Sequence, residues 1–315
     1  MKFSKKLEKA VDRFTTDRKE TVRLALEAGY DGDYEYALEL LDEVIYLFGS
    51  VLDKPNTKVE FWHLKARALQ ELERHEEALK AIEKSKEYLK FSITAEILHS
   101  EDLYDIELLN ITHSDILHDL GKYEEALKVI SSEPDGFLAR KLSKYVKKAP
   151  VTPDVLMMQA HLLSHLEKNT EALELIDMFL KKEPNDIEGW FEKSDVLQEL
   201  EKPNEALKAC EKGLEIDPDD SDLLGQKGIV LLDLEKPTEA LSFLEQSIQS
   251  DSTDDISWYN KACALSLLNK KEESLDALTV ATGLDSENII QMKDEKDLDN
   301  IRNTERFKRL ANQEI

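Results

Sequence analysis

The sequence predicts an all-α fold in which short helices pair and stack along the chain. An eight-residue phrase recurs at residues 166, 200 and 234, as LEKNTEAL, LEKPNEAL and LEKPTEAL, so the repeat length is 34 residues. Residues 187–220 and 221–254 align without a gap, with 13 identities in 34 positions. Only 10 Gly and 8 Pro occur among 315 residues, which favours long helices over tight-turned strands. A fixed period of this length is typical of a repeat protein.

Each repeat is predicted to form two antiparallel helices. Apolar residues recur at helical spacing on both sides of the recurring phrase. The first Leu of the phrase ends one helix, Glu-Lys followed by Pro or Asn makes the turn, and Glu-Ala-Leu begins the next helix. Pro203 and Pro237 are compatible with this assignment because the first turn of a helix needs no amide donor. The small Ala of the phrase suits the close approach of the two helices.

This pattern resembles the tetratricopeptide-repeat family, whose helix–turn–helix units carry Trp, Leu, Gly, Tyr, Ala, Phe and Pro at fixed offsets. The matching residues are Trp190, Leu197, Ala206 and Pro218 in one repeat and Trp258, Ala262 and Leu265 in another. Where the family has Leu three residues after the Trp, this chain has Lys65, Lys193, Lys227 and Lys261. We expect the aliphatic stem of each lysine to cover apolar surface while its ammonium stays in water. The resemblance implies an all-α solenoid, a right-handed superhelix of antiparallel helix pairs.

The resemblance also implies a division of the chain into seven helix pairs and a cap. The regular repeats are 153–186, 187–220, 221–254 and 255–288. The remaining segments are an N-terminal helix at 1–17, irregular repeats within 18–134 (about 18–51, 59–92 and 107–134), a basic insertion or linker helix at 135–152, and a C-terminal cap at 289–315. A cap is expected because the last helix pair would otherwise expose its stacking face.

Residues 136–148, GFLARKLSKYVKK, form a basic segment without an acidic residue. Its apolar residues are spaced for one helical face, which favours a helix docked on the repeats. A basic docking site is the alternative interpretation.

The formal net charge of −25 disfavours nucleic acid and acidic membranes as partners and favours basic ones. The N-terminus has basic residues but no apolar core of the length that a signal peptide needs, and no window holds 18 uninterrupted apolar residues. The two cysteines, Cys210 and Cys263, do not form a disulfide framework. We therefore expect a cytoplasmic protein that contacts neither nucleic acid nor membrane.

The resemblance further implies that the first helix of each repeat lines a concave groove, with binding residues at offsets 2, 5, 6, 9, 12 and 13. In the four regular repeats these 24 positions include seven acids and no Lys or Arg. The predicted partner-binding residues are Asp154, Met157, Met158, His161, Glu188, Phe191, Glu192, Asp195, Glu199, Asp222, Ile229, Asp233, Tyr259 and Asn260. Acids interleaved with apolar residues predict a groove for a basic, partly apolar peptide or helix. The alternative is an ordinary acidic surface whose apolar members pack between helices.

The sequence contains no phosphate-binding loop, nucleophile elbow or paired catalytic motif, so no cofactor, catalytic residue or enzymatic activity is predicted. His161 and His165 are spaced like two metal ligands, but a third ligand is not evident from the sequence, and no metal site is predicted. Cys263 lies at a groove offset, where nearby acids would raise its pKa.

The function predicted is that of a non-enzymatic protein–protein interaction scaffold or adaptor, with self-association possible. One alternative is a permanent structural subunit of a larger complex. The other is an RNA-binding helical-repeat protein, which would need a basic track for phosphates, and only residues 136–148 are basic.

Overall fold

The computed structural model describes residues 24, 25, 27, 28, 31–48, 55–94, 102–131 and 151–312. The described residues form helices and turns without a β-strand, which confirms the all-α prediction. The predicted N-terminal helix at 1–17 and the basic segment at 136–148 lie outside the described residues. The chain divides into two compact units, Met1–Leu162 (unit 1) and Leu163–Ile315 (unit 2). None of the described helices combines the length and the apolar composition that crossing a bilayer requires.

Helices α1 to α6 lie in the first part of the chain. They are α1 (Tyr34–Phe48), α2 (Pro55–Glu71), α3 (His75–Thr94), α4 (Asp102–Asp119), α5 (Tyr123–Ser131) and α6 (Pro153–His165). In unit 1 each of α1 to α4 contacts the next helix along the chain. Leu69, Ile82, Leu109 and Ile116 are fully buried in the core between them. The core therefore forms by burying one face of each helix against its neighbours in sequence.

Helices α7 to α16 lie in unit 2. They are α7 (Asn169–Lys182), α8 (Ile187–Glu199), α9 (Pro203–Ile216), α10 (Ser221–Asp233), α11 (Pro237–Ser250), α12 (Asp255–Leu267), α13 (Lys271–Leu284), α14 (Asn288–Gln291), a 3₁₀ helix (Lys296–Leu298), α15 (Asp299–Arg302) and α16 (Glu305–Ala311). Each helix from α7 to α12 contacts the next one. Within each repeat the first helix has an even number (α2, α4, α6, α8, α10 and α12). The second helix has an odd number (α1, α3, α5, α7, α9, α11 and α13). The prediction of stacked helix pairs is confirmed.

The turn inside each described helix pair uses the same backbone geometry. One residue in each turn has a positive φ, between 56° and 78°: Gly32, Glu73, Gly121, Glu167, Glu201, Glu235 and Asn269. In the turn that contains Glu201, the amide of Lys202 donates to the carbonyl of Leu197 (2.9 Å). The amide of Glu201 donates to the carbonyl of Gln198 (2.7 Å). These two bonds form a Schellman motif that satisfies the last carbonyls of α8. The recurring phrase therefore ends a helix through backbone geometry that usually favours glycine.

Small residues allow the paired helices to approach closely. The Ala of the recurring phrase is completely buried at positions 172, 206 and 240, and Ala78 and Ala126 occupy the same place in unit 1. Gly228 on α10 faces Leu244 on α11, and a Cβ added at Gly228 would lie 2.5 Å from Leu244 Cγ. This distance is shorter than a van der Waals contact, so the separation of α10 and α11 depends on glycine at position 228.

The lysines that replace the family's leucine lie between successive repeats. In unit 2 each pairs with an acid on the second helix of the preceding repeat: Lys193 Nζ with Asp177 Oδ1 (2.6 Å), Lys227 Nζ with Glu211 Oε1 (3.9 Å) and Lys261 Nζ with Glu245 Oε1 (3.2 Å). In unit 1, Lys65 pairs in the same way with Asp42.

Aromatic rings also contact these four ammonium groups. Three of the lysines lie over a tryptophan ring: the distance from Nζ to the ring centroid is 5.5 Å for Lys65 and Trp62, 5.4 Å for Lys193 and Trp190, and 5.2 Å for Lys261 and Trp258. The fourth, Lys227, lies 4.2 Å from the ring centroid of Phe243. The lysine side chains are only 15% to 24% exposed. An acid and a ring therefore contact each ammonium group at the junction between repeats, where the lysine side chain stays partly exposed.

The segment after α13 packs back onto unit 2. Met292, Leu298, Ile301 and Phe307 are buried in the same core as α12 and α13. The 3₁₀ helix and α15 contact α12, and α16 contacts α13. These short helices cover apolar surface that the last helix pair would otherwise expose to water.

We expect Gly228→Ala to destabilise unit 2 by about 1–2 kcal/mol, because the added methyl group overlaps Leu244 and overpacking outweighs the gain in helix propensity. Gly283→Ala is the matched control, since nothing lies within 4 Å of a Cβ built at Gly283 on α13. This control should be neutral or stabilise by up to about 1 kcal/mol. Chemical denaturation of both variants measures the difference, and equal effects would contradict the packing described here.

We expect Glu235→Gly to stabilise the protein by about 0.5–1 kcal/mol, because relief of left-handed strain exceeds the added entropy of the unfolded chain. Glu239→Gly, in the first turn of α11, is the control, and we expect it to have the opposite effect on stability. That residue has an ordinary helical backbone, so glycine there should destabilise. Thermal unfolding distinguishes the two variants, and a lower melting temperature for Glu235→Gly would exclude strain at this turn.

Candidate binding surface

The first helices of unit 2 separate their charges onto different faces. Helices α8, α10 and α12 each contain a single basic residue, Lys193, Lys227 and Lys261 respectively. Each of these lysines is paired with an acid of the preceding second helix. The predicted groove offsets on these three helices carry acids on α8 and α10 and no Lys or Arg. We call the face formed by these offsets on α8, α10 and α12 the first-helix face.

The predicted residues of unit 2 differ in their accessibility. Glu188, Glu199, Asp222 and Asp233 are exposed, Phe191, Glu192, Asp195, Ile229 and Asn260 are half-buried, and Tyr259 is buried. The structure thus presents acidic and apolar side chains together on α8 and α10. Tyr259 differs from the others, because its ring belongs to the core of unit 2.

A hydrogen-bonded network joins α8 and α10 across the first-helix face. Gln226 Nε2 donates to Gln198 Oε1 (2.6 Å), and Gln198 Nε2 donates in turn to Asp233 Oδ2. Gln226 is buried and Gln198 is half-buried. The two amides therefore hold the Asp233 carboxylate in a fixed position near the end of α10.

The C-terminal segment covers the first-helix face of α12. Tyr259 and Cys263 are each 2% exposed, whereas Phe191 and Asp195, at the same offsets on α8, are half-buried. Asn300 Nδ2 also donates to the carbonyl of Ser266 on this face (2.8 Å). Burial, together with the carboxylates of Glu295 and Asp297, raises the pKa of the Cys263 thiol well above its usual range. Cys263 is therefore a protonated thiol, as the sequence analysis expected.

Sequence analysis missed two exposed apolar residues on α12. Ile256 is 57% exposed and Leu267 is 39% exposed. Both occupy groove offsets, so the register of the repeat could have identified them. Together with Phe191 and Ile229, they place apolar surface on each of the three first helices.

The predicted residues of unit 1 lie on α6. Asp154 is exposed, and Met157, Met158 and His161 are half-buried. Met158 packs partly against the core residues Leu117, Ala126 and Leu162. The ring of His161 lies 5.0 Å from that of His118 on α4. The structure therefore brings the predicted residue His161 close to a histidine of another first helix.

The irregular repeats of unit 1 place further polar residues at the same offsets. A pocket of about 290 Å³ between α2 and α4 is lined by Arg67, Gln70, Glu71, Thr112 and Asp115. Burial and the neighbouring Asp119 raise the pKa of Asp115 to about 6, although Arg67 and His161 act in the opposite direction. Aligning Ala78 and Ala126 with the Ala of the recurring phrase would have placed all of these residues in advance. Arg67 makes this surface less acidic than the first-helix face of unit 2.

Comparison with known proteins supports this description of the fold. The family model for the tetratricopeptide repeat matches residues 59–88 and 187–220. A search of the curated proteins found no match. Among solved structures, a tetratricopeptide repeat protein from Parabacteroides merdae is similar with a TM-score of 0.64 and 12% identity, over 91% of this chain and 100% of that one. At this identity the similarity concerns the fold alone.

Two shorter structures also match. A thermophilic tetratricopeptide-repeat protein from Thermus thermophilus has a TM-score of 0.48 and 19% identity, over 59% of this chain and 96% of that one. YrrB, described as a tetratricopeptide-repeat protein with an unusual peptide-binding site, has a TM-score of 0.42 and 18% identity, over 60% of this chain and 92% of that one. The matched repeats and the consecutive helix pairs of both units show that the chain has the fold of a tetratricopeptide-repeat solenoid.

Proposed function

We propose that this protein is a non-enzymatic adaptor that binds a basic, partly apolar peptide or helix of a partner protein on the first-helix face of unit 2. The observation that carries the proposal is the separation of charge on α8, α10 and α12. Their lysines face the preceding repeat, and Glu188, Glu192, Asp195, Asp222 and Asp233 remain on the first-helix face. An acidic surface attracts basic partners and speeds their association.

Apolar side chains on the same face would supply affinity. Phe191 and Ile229 are half-buried and Ile256 is exposed, so each offers surface that a ligand can cover. Covering apolar area on binding is favourable by about 25 cal/mol per Å² before the costs of association. Alternating acids and apolar residues therefore suit a segment whose own basic and apolar residues alternate. In unit 1, Asp154, Met157, Met158 and His161 form a separate surface that would take the same class of ligand.

The proposal places the protein in the reducing cytoplasm and assigns no chemistry to its two cysteines. Both are free thiols and both are buried. Burial raises the pKa of Cys210 to about 11, so its reactive thiolate form is scarce at neutral pH. Neither thiol is therefore poised to act as a nucleophile.

The same charge pattern disfavours RNA and acidic membranes as partners. Phosphate groups would meet the acids of the first-helix face without a basic track to neutralise them. A permanent structural role in a larger assembly, and association with a second copy of the chain, are the other uses of such a scaffold. Exposed Leu284 and Ile290, near the C-terminal end of unit 2, are apolar residues that such an interface would cover.

The proposal predicts that Glu192→Lys with Asp195→Lys abolishes capture of the native partner from lysate, because the reversed charges repel a basic segment. Capture by the wild-type protein and by the variant, compared by mass spectrometry, measures this. The matched control is Glu174→Lys with Asp219→Lys, which makes the same change in net charge at exposed residues outside the first-helix face. Circular dichroism establishes that both variants are folded. Equal loss of the partner in both double variants, or in neither, would contradict binding at this face.

A further inference from the structure

Three histidines come together where α4 approaches α6. His161 and His165 are four residues apart on α6, which is one unbroken helix, so both lie on the same side of that helix. The third, His118, lies on α4, and its ring centroid is 5.0 Å from that of His161. One ligand nitrogen from each of the three lies within 4.8 Å of the other two. The structure therefore supplies the third ligand that the sequence did not indicate.

The three imidazoles are close enough to bind one transition-metal ion. Zinc takes imidazole nitrogens at about 2.0–2.1 Å in a tetrahedral arrangement, which places the nitrogens about 3.3 Å from one another. Since the nitrogens of the three histidines are already within 4.8 Å, rotation about the side-chain torsions can close the remaining distance. The rings of His118 and His161 are inclined by 52°, so they are not stacked face to face and their edges can turn toward a common point.

Neighbouring polar groups orient one of these ligands. Nδ1 of His118 lies 3.5 Å from Asp119 Oδ1, and Gln70 Nε2 donates to the other oxygen of the same carboxylate (2.7 Å). A histidine that binds a metal through one nitrogen usually presents the N–H of the other to a carboxylate or a carbonyl. Asp119 therefore favours the tautomer of His118 that has its proton on Nδ1 and a lone pair for a metal ion on Nε2.

The donor set distinguishes among metal ions. Three imidazoles favour Zn²⁺ or a neighbouring first-row transition ion, whereas Mg²⁺ and Ca²⁺ prefer oxygen ligands. His118 and His161 are half-buried and His165 is exposed, so an ion held by them would be open to solvent on one side. Three protein ligands with water in the fourth position is an arrangement that zinc adopts in proteins.

We propose that His118, His161 and His165 bind one Zn²⁺ ion, with a water molecule as the fourth ligand. The inference does not depend on the proposed function, because none of these histidines lies on the first-helix face. The ion joins α4 to α6, which are the first helices of two successive repeats. Zinc binding is thus coupled to the packing of these helices, since the site exists only when they lie side by side.

The test is isothermal titration of Zn²⁺ into the full chain after removal of metals with a chelator. Millimolar Mg²⁺ in the buffer occupies the sites that consist of carboxylates alone. We expect one Zn²⁺ per chain, with a Kd on the order of 1 μM or tighter. His161→Asn and His165→Asn should each weaken zinc binding by at least about tenfold, because each removes a ligand. His165 is exposed, so this substitution should leave the fold intact.

His113→Asn is the matched control. His113 also lies on α4, five residues before His118, but it is outside the cluster, and its Nδ1 contacts Lys86 Nζ (3.1 Å). The control variant should bind Zn²⁺ as the wild-type protein does. Circular dichroism establishes that all the variants are folded.

Thermal unfolding with and without Zn²⁺ provides a second readout. Because the ion binds the folded chain, saturating Zn²⁺ should raise the melting temperature of the wild-type protein and of His113→Asn. His165→Asn should show no such shift. If the wild-type protein binds no Zn²⁺, or if His161→Asn and His165→Asn bind it as tightly as the wild type, the site is excluded. Equal weakening by His113→Asn would also overturn the assignment to these three histidines.

Discussion

The ion pairs between successive repeats determine the charge of the first-helix face, on which we propose that a partner binds. Lys193, Lys227 and Lys261 are the single cations of their helices, and each is fixed between an acid of the preceding repeat and an aromatic ring. Because the stacking of helix pairs draws these ammonium groups toward the preceding repeat, the charged residues at the predicted groove offsets are all acids. Repeat packing and the selection of a basic partner that we propose thus depend on one arrangement of side chains.

Much of the fold could be predicted from the sequence because the repeat is a local signal. The 34-residue spacing, the apolar periodicity and Pro203 and Pro237 at the starts of second helices place α8 to α13 without reference to long-range contacts. The Asp residues before first helices also act locally, as Asp220 does when it accepts from the amide of Leu223 (2.8 Å). Helix boundaries that depend on the adjoining turn can therefore be predicted from a few consecutive residues.

The details of the candidate site could not be predicted in the same way, because they depend on contacts between distant residues. Nothing near Lys193 in sequence indicates that Asp177, across the repeat junction, neutralises it. Tyr259 has the offset of a groove residue, yet residues more than thirty positions later cover it. The polar pocket of unit 1 depends on contact between α2 and α4, which the residues of neither helix alone indicate. An offset therefore predicts the direction of a side chain better than its exposure.

If the repeat junction holds the lysines through their charge, Lys193 and Asp177 should be energetically coupled, and a double-mutant cycle measures this coupling. Lys193→Met keeps the aliphatic stem over Trp190 and removes the ammonium, while Asp177→Ala removes its partner. Urea unfolding of the two single variants and the double variant gives the coupling free energy of the pair. We expect a favourable coupling of about 0.5–1 kcal/mol that decreases at high salt, because the pair is partly exposed. A coupling of zero would mean that the acid of the preceding repeat does not hold the lysine in place, and the charge of the first-helix face would need another origin.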